Sequence, residues 1–141
     1  MIRTLLAAGA ALLLLTGCGD VTVEEETSTG EVTVSGTLTY PAWTQNNYYA
    51  VMYPAGIPIG PTGHITSEAY AGTGMTAAYS LSVAENTGDV IVFGFNDDDG
   101  GGSPSGANDG SACSGIFTVG SSDVTGIDIA LAAMAYTNCP L

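Results

Sequence analysis

The chain has 141 residues and a formal charge of −13, with 14 Asp and Glu residues set against a single Lys or Arg, Arg3. That balance removes the cations that neutralise phosphate, so it excludes nucleic-acid binding and electrostatic docking to anionic lipid as function classes. Abundant Gly, with frequent Thr, Ser, Val and Tyr, favours strands and turns over helices.

In chain order, the N-terminal α-amine and Arg3 form a short positive stretch. Residues 4–15 are then almost uninterrupted Leu, Ala and Gly. Twelve such residues suit the apolar core of an export signal and fall short of the roughly 20 that a spanning helix needs. The run stops at Leu15-Thr16-Gly17-Cys18, a branched aliphatic residue, two small residues and a cysteine. This resembles the lipobox of bacterial lipoproteins. The resemblance implies cleavage before Cys18, lipidation of Cys18 and attachment to a membrane without spanning it. Two or three acyl chains anchor far more firmly than one, at about 0.8 kcal/mol per buried methylene. In lipoprotein sorting an Asp directly after the cysteine signals inner-membrane retention. Here Gly19 holds that place, which implies the outer membrane, on its periplasmic or surface face. Residues 1–17 are therefore expected to be a signal peptide and residues 18–30 a lipidated, acidic, flexible tether. Residues 31–141 form one domain, whose partner is the membrane through its lipid or another envelope component.

Residues 31–40 alternate with period two, placing Val32, Val34, Leu38 and Tyr40 on one face and threonines on the other. Pro41 ends this strand. Residues 48–53 form a second strand stopped by Pro54, and residues 55–74 are a Gly/Pro-rich loop with a short strand near 65–70. Residues 77–83 alternate through Tyr79, Leu81 and Val83. Residues 89–95 are apolar on both faces, which predicts the central strand of a sheet covered on both sides. A long Asp/Gly/Ser loop spans 96–111. Residues 112–119 and 124–131 give two further strands, and 134–139 a terminal strand or arm. No helix-period segment follows Cys18. The expected fold is all-β: a single antiparallel Greek-key β-sandwich of about seven strands.

Val32, Val34, Gly36 and Leu38 at the start, Tyr79-Ser80-Leu81 before Gly88, the run 90–97, and Gly126-Ile127-Asp128-Ile129 together resemble the carboxypeptidase-regulatory-like, transthyretin-like sandwich domains. The resemblance covers roughly residues 31–131. It implies a small Greek-key structural or binding module, generally without catalysis of its own.

With Cys18 assigned to lipid, Cys113 and Cys139 are expected to pair as a disulfide in an exported chain. Zinc is the poorer alternative, because the chain has one His and no CxxC spacing. Asp97-Asp98-Asp99 followed by Gly100-Gly101-Gly102 is the sharpest candidate for chemistry. Three successive carboxylates repel, and Ca²⁺ held by Asp97, Asp99 and Asp109 would relieve them. The run only partly follows a calcium-loop pattern, since Asn108 stands where the closing Glu belongs. The alternative is a solvated turn-rich loop. Trp43 and Tyr48, within an aromatic cluster that includes Tyr40, Tyr49 and Tyr53, are candidates for stacking on a glycan, against plain packing. Catalysis is disfavoured. His64 is the sole histidine, no G-x-S-x-G elbow occurs, and a Glu68/Glu85 carboxylate pair has little room for a substrate cleft in so short a domain.

Overall fold

The computed structural model describes residues 30–42, 47–72, 74–104, 108–133 and Cys139. The signal segment, Cys18, nearly all of the tether, Trp43 and residues 134–138 lie outside the described residues. Those described build nine strands and no helix: β1 (Glu31–Thr39), β2 (Asn47–Pro54), β3 (Thr66–Ala71), β4 (Thr76–Ala84), β5 (Gly88–Asp97), β6 (Gly110–Cys113), β7 (Phe117–Val119), β8 (Ile129–Ala130) and β9 (Ala132–Ala133). They form two sheets, one of order β4-β1-β8 and one of order β3-β2-β5-β6-β9, with β7 also paired to β5.

The period-two segments behave as their pattern requires. In β4, Ala77, Tyr79, Leu81 and Val83 are buried and every intervening residue is exposed. In β1, Val32, Val34 and Leu38 are buried opposite them, with Glu31 to Thr39 paired residue by residue against Ala84 to Thr76. These side chains meet Tyr48, Ala50, Met52, Val90 and Val92 from the other sheet in one continuous core. Stacking the two sheets removes both apolar faces from water, at roughly 25 cal/mol per Å² of apolar surface. β5 sits between β2 on one side and β6 and β7 on the other. It is buried from Val90 to Asp97, the central strand that its two-faced apolar run predicts.

Nine strands are described where about seven are expected, because the segment 112–119 divides into β6 and β7 and the short β9 follows the segment 124–131. The segment 112–119 breaks at Ser114, where the register against β5 slips by one residue. Ser114 bridges the slip. Its backbone N–H donates to the Val92 carbonyl at 2.8 Å, and the Val92 N–H donates to the Ser114 hydroxyl oxygen at 2.9 Å. This is a β-bulge whose side chain stands in for a missing ladder partner.

The segment 124–131 runs alongside β1 but pairs with it only at Val124 and in β8, both times in parallel, so the smaller sheet is not purely antiparallel. Carboxylates fill the gaps in that ladder. The Thr33 N–H donates to Asp123 Oδ1 at 2.8 Å and the Thr37 N–H to Asp128 Oδ1 at 2.9 Å. Beyond Leu131 the chain leaves β1 and joins β6 of the other sheet as β9, so this strand closes one end of the two layers.

The turn at Gly126 has φ +77°, and it carries the Ile127 carbonyl beneath β1. Gly36 has the inward parity of Val34 and Leu38, and a Cβ there would collide with that carbonyl. The Tyr79 hydroxyl donates to the same oxygen at 2.7 Å. No helix among the described residues is long and apolar enough to cross a membrane.

Candidate functional site

Because β5 is apolar on both faces, the six-stranded sheet has a second apolar side that the smaller sheet does not touch. Register decides its membership. Tyr49 pairs with Phe95, Val51 with Phe93 and Tyr53 with Ile91. These side chains form a second cluster, together with Ile59, Cys113 and Cys139. Phe95 stacks on Tyr49 with ring centroids 4.6 Å apart and an interplanar angle of 9°. Phe93 tilts against Phe95 at 5.6 Å. Offset and tilted pairs of this kind contribute about 0.5–1.5 kcal/mol beyond their area.

Two loops and the disulfide frame this outer face. Cys113 and Cys139 are joined, with Cα atoms 5.2 Å apart, and their bond packs against the aromatic cluster. The chain after β2 returns over the face through Ile59, Gly60 and His64, pinned where the Tyr53 hydroxyl donates to the Gly60 carbonyl at 2.6 Å. Burial pushes the Tyr53 phenol above its usual pKa of 10, while the Gly60 hydrogen bond pulls the other way. His64 stands edge-on to Tyr53, with centroids 6.2 Å apart. From the opposite side Gly102, Ser103 and Pro104 form a second wall. Between the walls lies a groove of about 550 Å³ floored by Tyr49, Val51, Phe93 and Phe95. That volume is in the range of small-molecule sites, roughly 300–1,000 Å³.

The second wall belongs to the acidic loop. Asp97 is fully buried, and its carboxylate organises the glycines that follow. Oδ1 accepts from the Gly100 N–H at 2.9 Å and the Gly101 N–H at 3.2 Å, and Oδ2 from the Gly102 N–H at 2.8 Å. Gly100 and Gly102 both hold φ +75°, which lets successive amides turn toward one carboxylate. Asp109, also buried, accepts from the Asp98 N–H at 2.8 Å. The Asn108 carbonyl accepts from the Tyr40 hydroxyl at 2.8 Å. Burial, then the charges of Asp109 and Asp98, raise the Tyr40 phenol above its ordinary pKa. Carboxylate oxygens of Asp97, Asp99 and Asp109 lie within 4.8 Å of one another. The three candidate cation ligands are thus brought together, although much of the capacity of Asp97 goes to amides of its own loop.

The remaining candidates separate. Tyr48 is fully buried between the sheets, its hydroxyl donating to the Gly74 carbonyl at 3.1 Å, so its ring cannot stack on a ligand. Its neighbour Tyr49 takes that position on the outer face. Glu68 accepts from the Tyr70 hydroxyl at 3.4 Å on β3, whereas the Glu85 carboxylate crowds Gly30 in the turn between β4 and β5. Sequence reasoning did not single out Phe93 and Phe95. Their signal was the two-faced run at 89–95, which demands a second covering layer. No protein-family model, no curated protein and no solved structure matches this chain.

Proposed function

We propose that the chain is a lipid-anchored envelope protein whose β-sandwich is a non-catalytic binding module, with the aromatic groove as its binding surface. The observation that carries this reading is the groove itself. It is a space of about 550 Å³ between two walls, beside the buried Phe93 and Phe95 and the half-buried Tyr49 and Val51. Concave, mostly apolar spaces of this size are where small ligands bind. Non-catalysis is supported by the described lining, which contains His64 and no carboxylate to orient it. The two face-to-face sheets and the core placement of Val32, Val34, Leu38, Tyr79 and Leu81 fit a Greek-key module of the carboxypeptidase-regulatory-like kind. The Leu15-Thr16-Gly17-Cys18 motif supports anchoring through Cys18, and Gly19 in place of an Asp after it supports the outer membrane, on its periplasmic or surface face.

Labelling cells with radioactive palmitate tests the anchor. Wild-type chain is expected to carry the label and sediment with membranes, and Cys18→Ala to do neither. A labelled Cys18→Ala chain, or an unlabelled wild type in the soluble fraction, refutes it.

A second reading rests on Asp97, Asp99 and Asp109, whose oxygens lie within 4.8 Å of one another. It makes the protein a weak Ca²⁺ binder of the extracellular kind, with a Kd of roughly 10⁻⁴–10⁻³ M. Titration with millimolar Ca²⁺ is expected to release heat and raise the melting temperature. Absence of both retires it.

A further inference from the structure

The groove reaches the edge strand β3 through Ser67, and this step rests on its being a binding surface as proposed above. We propose that an extended peptide adds to the sheet along β3, with every second side chain laid against the groove. β3 is the last strand of its sheet, and among the described residues no strand pairs with its far edge. The ladder fixes which backbone groups of β3 face outward. Val92 gives its N–H and its carbonyl to Ser114, on the side away from β2, so its neighbours Ile91, Phe93 and Phe95 turn theirs toward β2. Antiparallel pairing alternates across each strand, so Val51 and Tyr49 bond to β5, whereas Ala50 and Tyr48 bond to Glu68 and Tyr70 of β3. That leaves the N–H and carbonyl of Ser67 and Ala69 directed outward. Both residues are exposed, and their pairing with Val51 and Tyr49 puts their side chains on the groove face.

Three features suit an added strand. Small side chains at Ser67 and Ala69 leave room above β3, so bulky residues of the newcomer can reach the half-buried Tyr49 and Val51. The neighbouring edge of the other sheet is closed by a side chain. On β4 the Ser80 carbonyl accepts from the Tyr70 hydroxyl at 2.6 Å, and the Ser80 N–H donates to the same hydroxyl at 3.3 Å. β3 shows no such cap among the described residues, and it carries neither the Lys nor the Pro that commonly guards an edge. Charge then separates a peptide from a second copy of the chain. Each copy would bring a formal charge of −13 and an exposed Glu68 on the very strand to be paired. The partner that fits is an uncharged or basic segment in which bulky apolar residues alternate with polar ones.

The test is isothermal titration of the full-length chain in detergent with the peptide acetyl-Lys-Thr-Val-Thr-Phe-Thr-Val-Thr-Lys-amide. Half-molar NaCl screens plain charge attraction. The peptide is expected to bind at sub-millimolar concentration. Methylating the backbone nitrogens of its Val and Phe residues, which would face β3, should weaken binding by at least about ten-fold, since two lost hydrogen bonds suffice for that. In the free chain the Ser67 and Ala69 amides should exchange with solvent fast and those of Glu68 and Tyr70 slowly, and the peptide should slow the first pair. Ala69→Pro removes an outward N–H that the ladder does not use, so the urea midpoint should stay near wild type while binding falls by about ten-fold or more. Tyr49→Ala should weaken the peptide several-fold.

Binding undiminished by Ala69→Pro or by N-methylation, or Ser67 and Ala69 amides that are not slowed, overturns the strand addition. Edge-dependent binding that is undiminished in Tyr49→Ala supports the added strand and overturns the groove's part in it. No heat from the peptide, with heat from 1-naphthylmethanol that Tyr49→Ala abolishes, overturns the peptide assignment and leaves the groove a small-molecule site. No heat from either probe at millimolar concentration overturns both. A chain that sediments as a dimer with its Ser67 and Ala69 amides already protected assigns the edge to a second copy and overturns the peptide.

Discussion

Gly36→Ala is the substitution on which the fold's geometry makes its sharpest demand. Glycine inside a strand usually weakens it, so replacement by Ala would ordinarily stabilise by up to about 1 kcal/mol. Here the sign reverses. A Cβ at Gly36 meets the Ile127 carbonyl, a backbone group that cannot swing aside like the end of a side chain. That carbonyl is held by the Tyr79 hydroxyl at 2.7 Å, and the Ile127 N–H is tied to the Ser35 carbonyl at 3.1 Å. The neighbouring tie, Thr37 N–H to Asp128, adds a charged acceptor. Relieving the collision moves residues 126–128 off β1 and loses two or three of these bonds. At about 1 kcal/mol each, rather more for the charged one, the loss is about 2–4 kcal/mol. With a urea m-value of roughly 1–3 kcal/mol/M, the unfolding midpoint should fall by about 1–2 M. Gly115→Ala is the control, since nothing lies within 4 Å of a Cβ there. It should stay within about 0.5 kcal/mol of wild type. A Gly36→Ala midpoint equal to or above wild type would refute the claim that the Ile127 carbonyl occupies that space.

Further outcomes follow from the same contacts. Replacing Cys113 and Cys139 together by Ser opens a loop of sequence separation 26, and the chain-entropy model puts the loss at about 3.5 kcal/mol, read as a lower urea midpoint than wild type. Tyr79 has its phenol pKa raised above 10 by burial first and the Asp128 charge second. Unfolded tyrosine therefore ionises before the folded one, so its contribution is complete below pH 10 and is lost as pH rises beyond it. Tyr40, Tyr48, Tyr53 and Tyr70 shift the same way. Urea midpoints should thus fall steeply above pH 10, and less steeply in Tyr79→Phe; parallel slopes would contradict the shift. Asp97→Ala strands the amides of Gly100, Gly101 and Gly102 and should cost about 2–4 kcal/mol, with faster amide exchange in that loop.

Elements with one wet face were legible because burial imposes alternation on them. Residues 31–40 and 77–83 carry that pattern, and β1 and β4 follow it. The central place of 89–95 was legible for the complementary reason, since a run apolar on both sides fits only where both sides are covered. What escaped was whatever depends on a partner distant in sequence. Tyr48 and Tyr49 look interchangeable in the chain, yet one is core and the other lines the groove. Their parity is fixed by pairing with Asn96 and Phe95 on β5. Likewise residues 124–131 read as one continuous strand. The structure interrupts it because Asp123 and Asp128 accept β1 amides with side-chain oxygens where a regular ladder would use carbonyls. The candidate cation cluster was legible as composition. That Asp97 would spend its oxygens on Gly100 to Gly102 was not, since it depends on glycines at φ +75° turning three amides inward.

The distribution of acid explains why so negative a domain holds together and how one wall of its groove is shaped. With no Lys, and Arg3 as the only Arg, Lys and Arg are far too few to pair with fourteen carboxylates. Asp97, Asp109, Asp123 and Asp128 are stabilised by backbone amides instead. Amides stay in place whatever the salt concentration, so this network tolerates ionic strength better than surface ion pairs would. The same acids shape the outer face. Asp97 folds the glycine run into a turn, and that turn delivers Gly102, Ser103 and Pro104 to the groove as a wall rather than a lid. Opposite, Tyr53 pins the Gly60 loop, and behind both the Cys113–Cys139 bond covers part of the aromatic cluster. The Gly60 loop, the Gly102 turn and the disulfide are each held by a bond of their own. Together these elements frame the groove beside Tyr49 and Phe95.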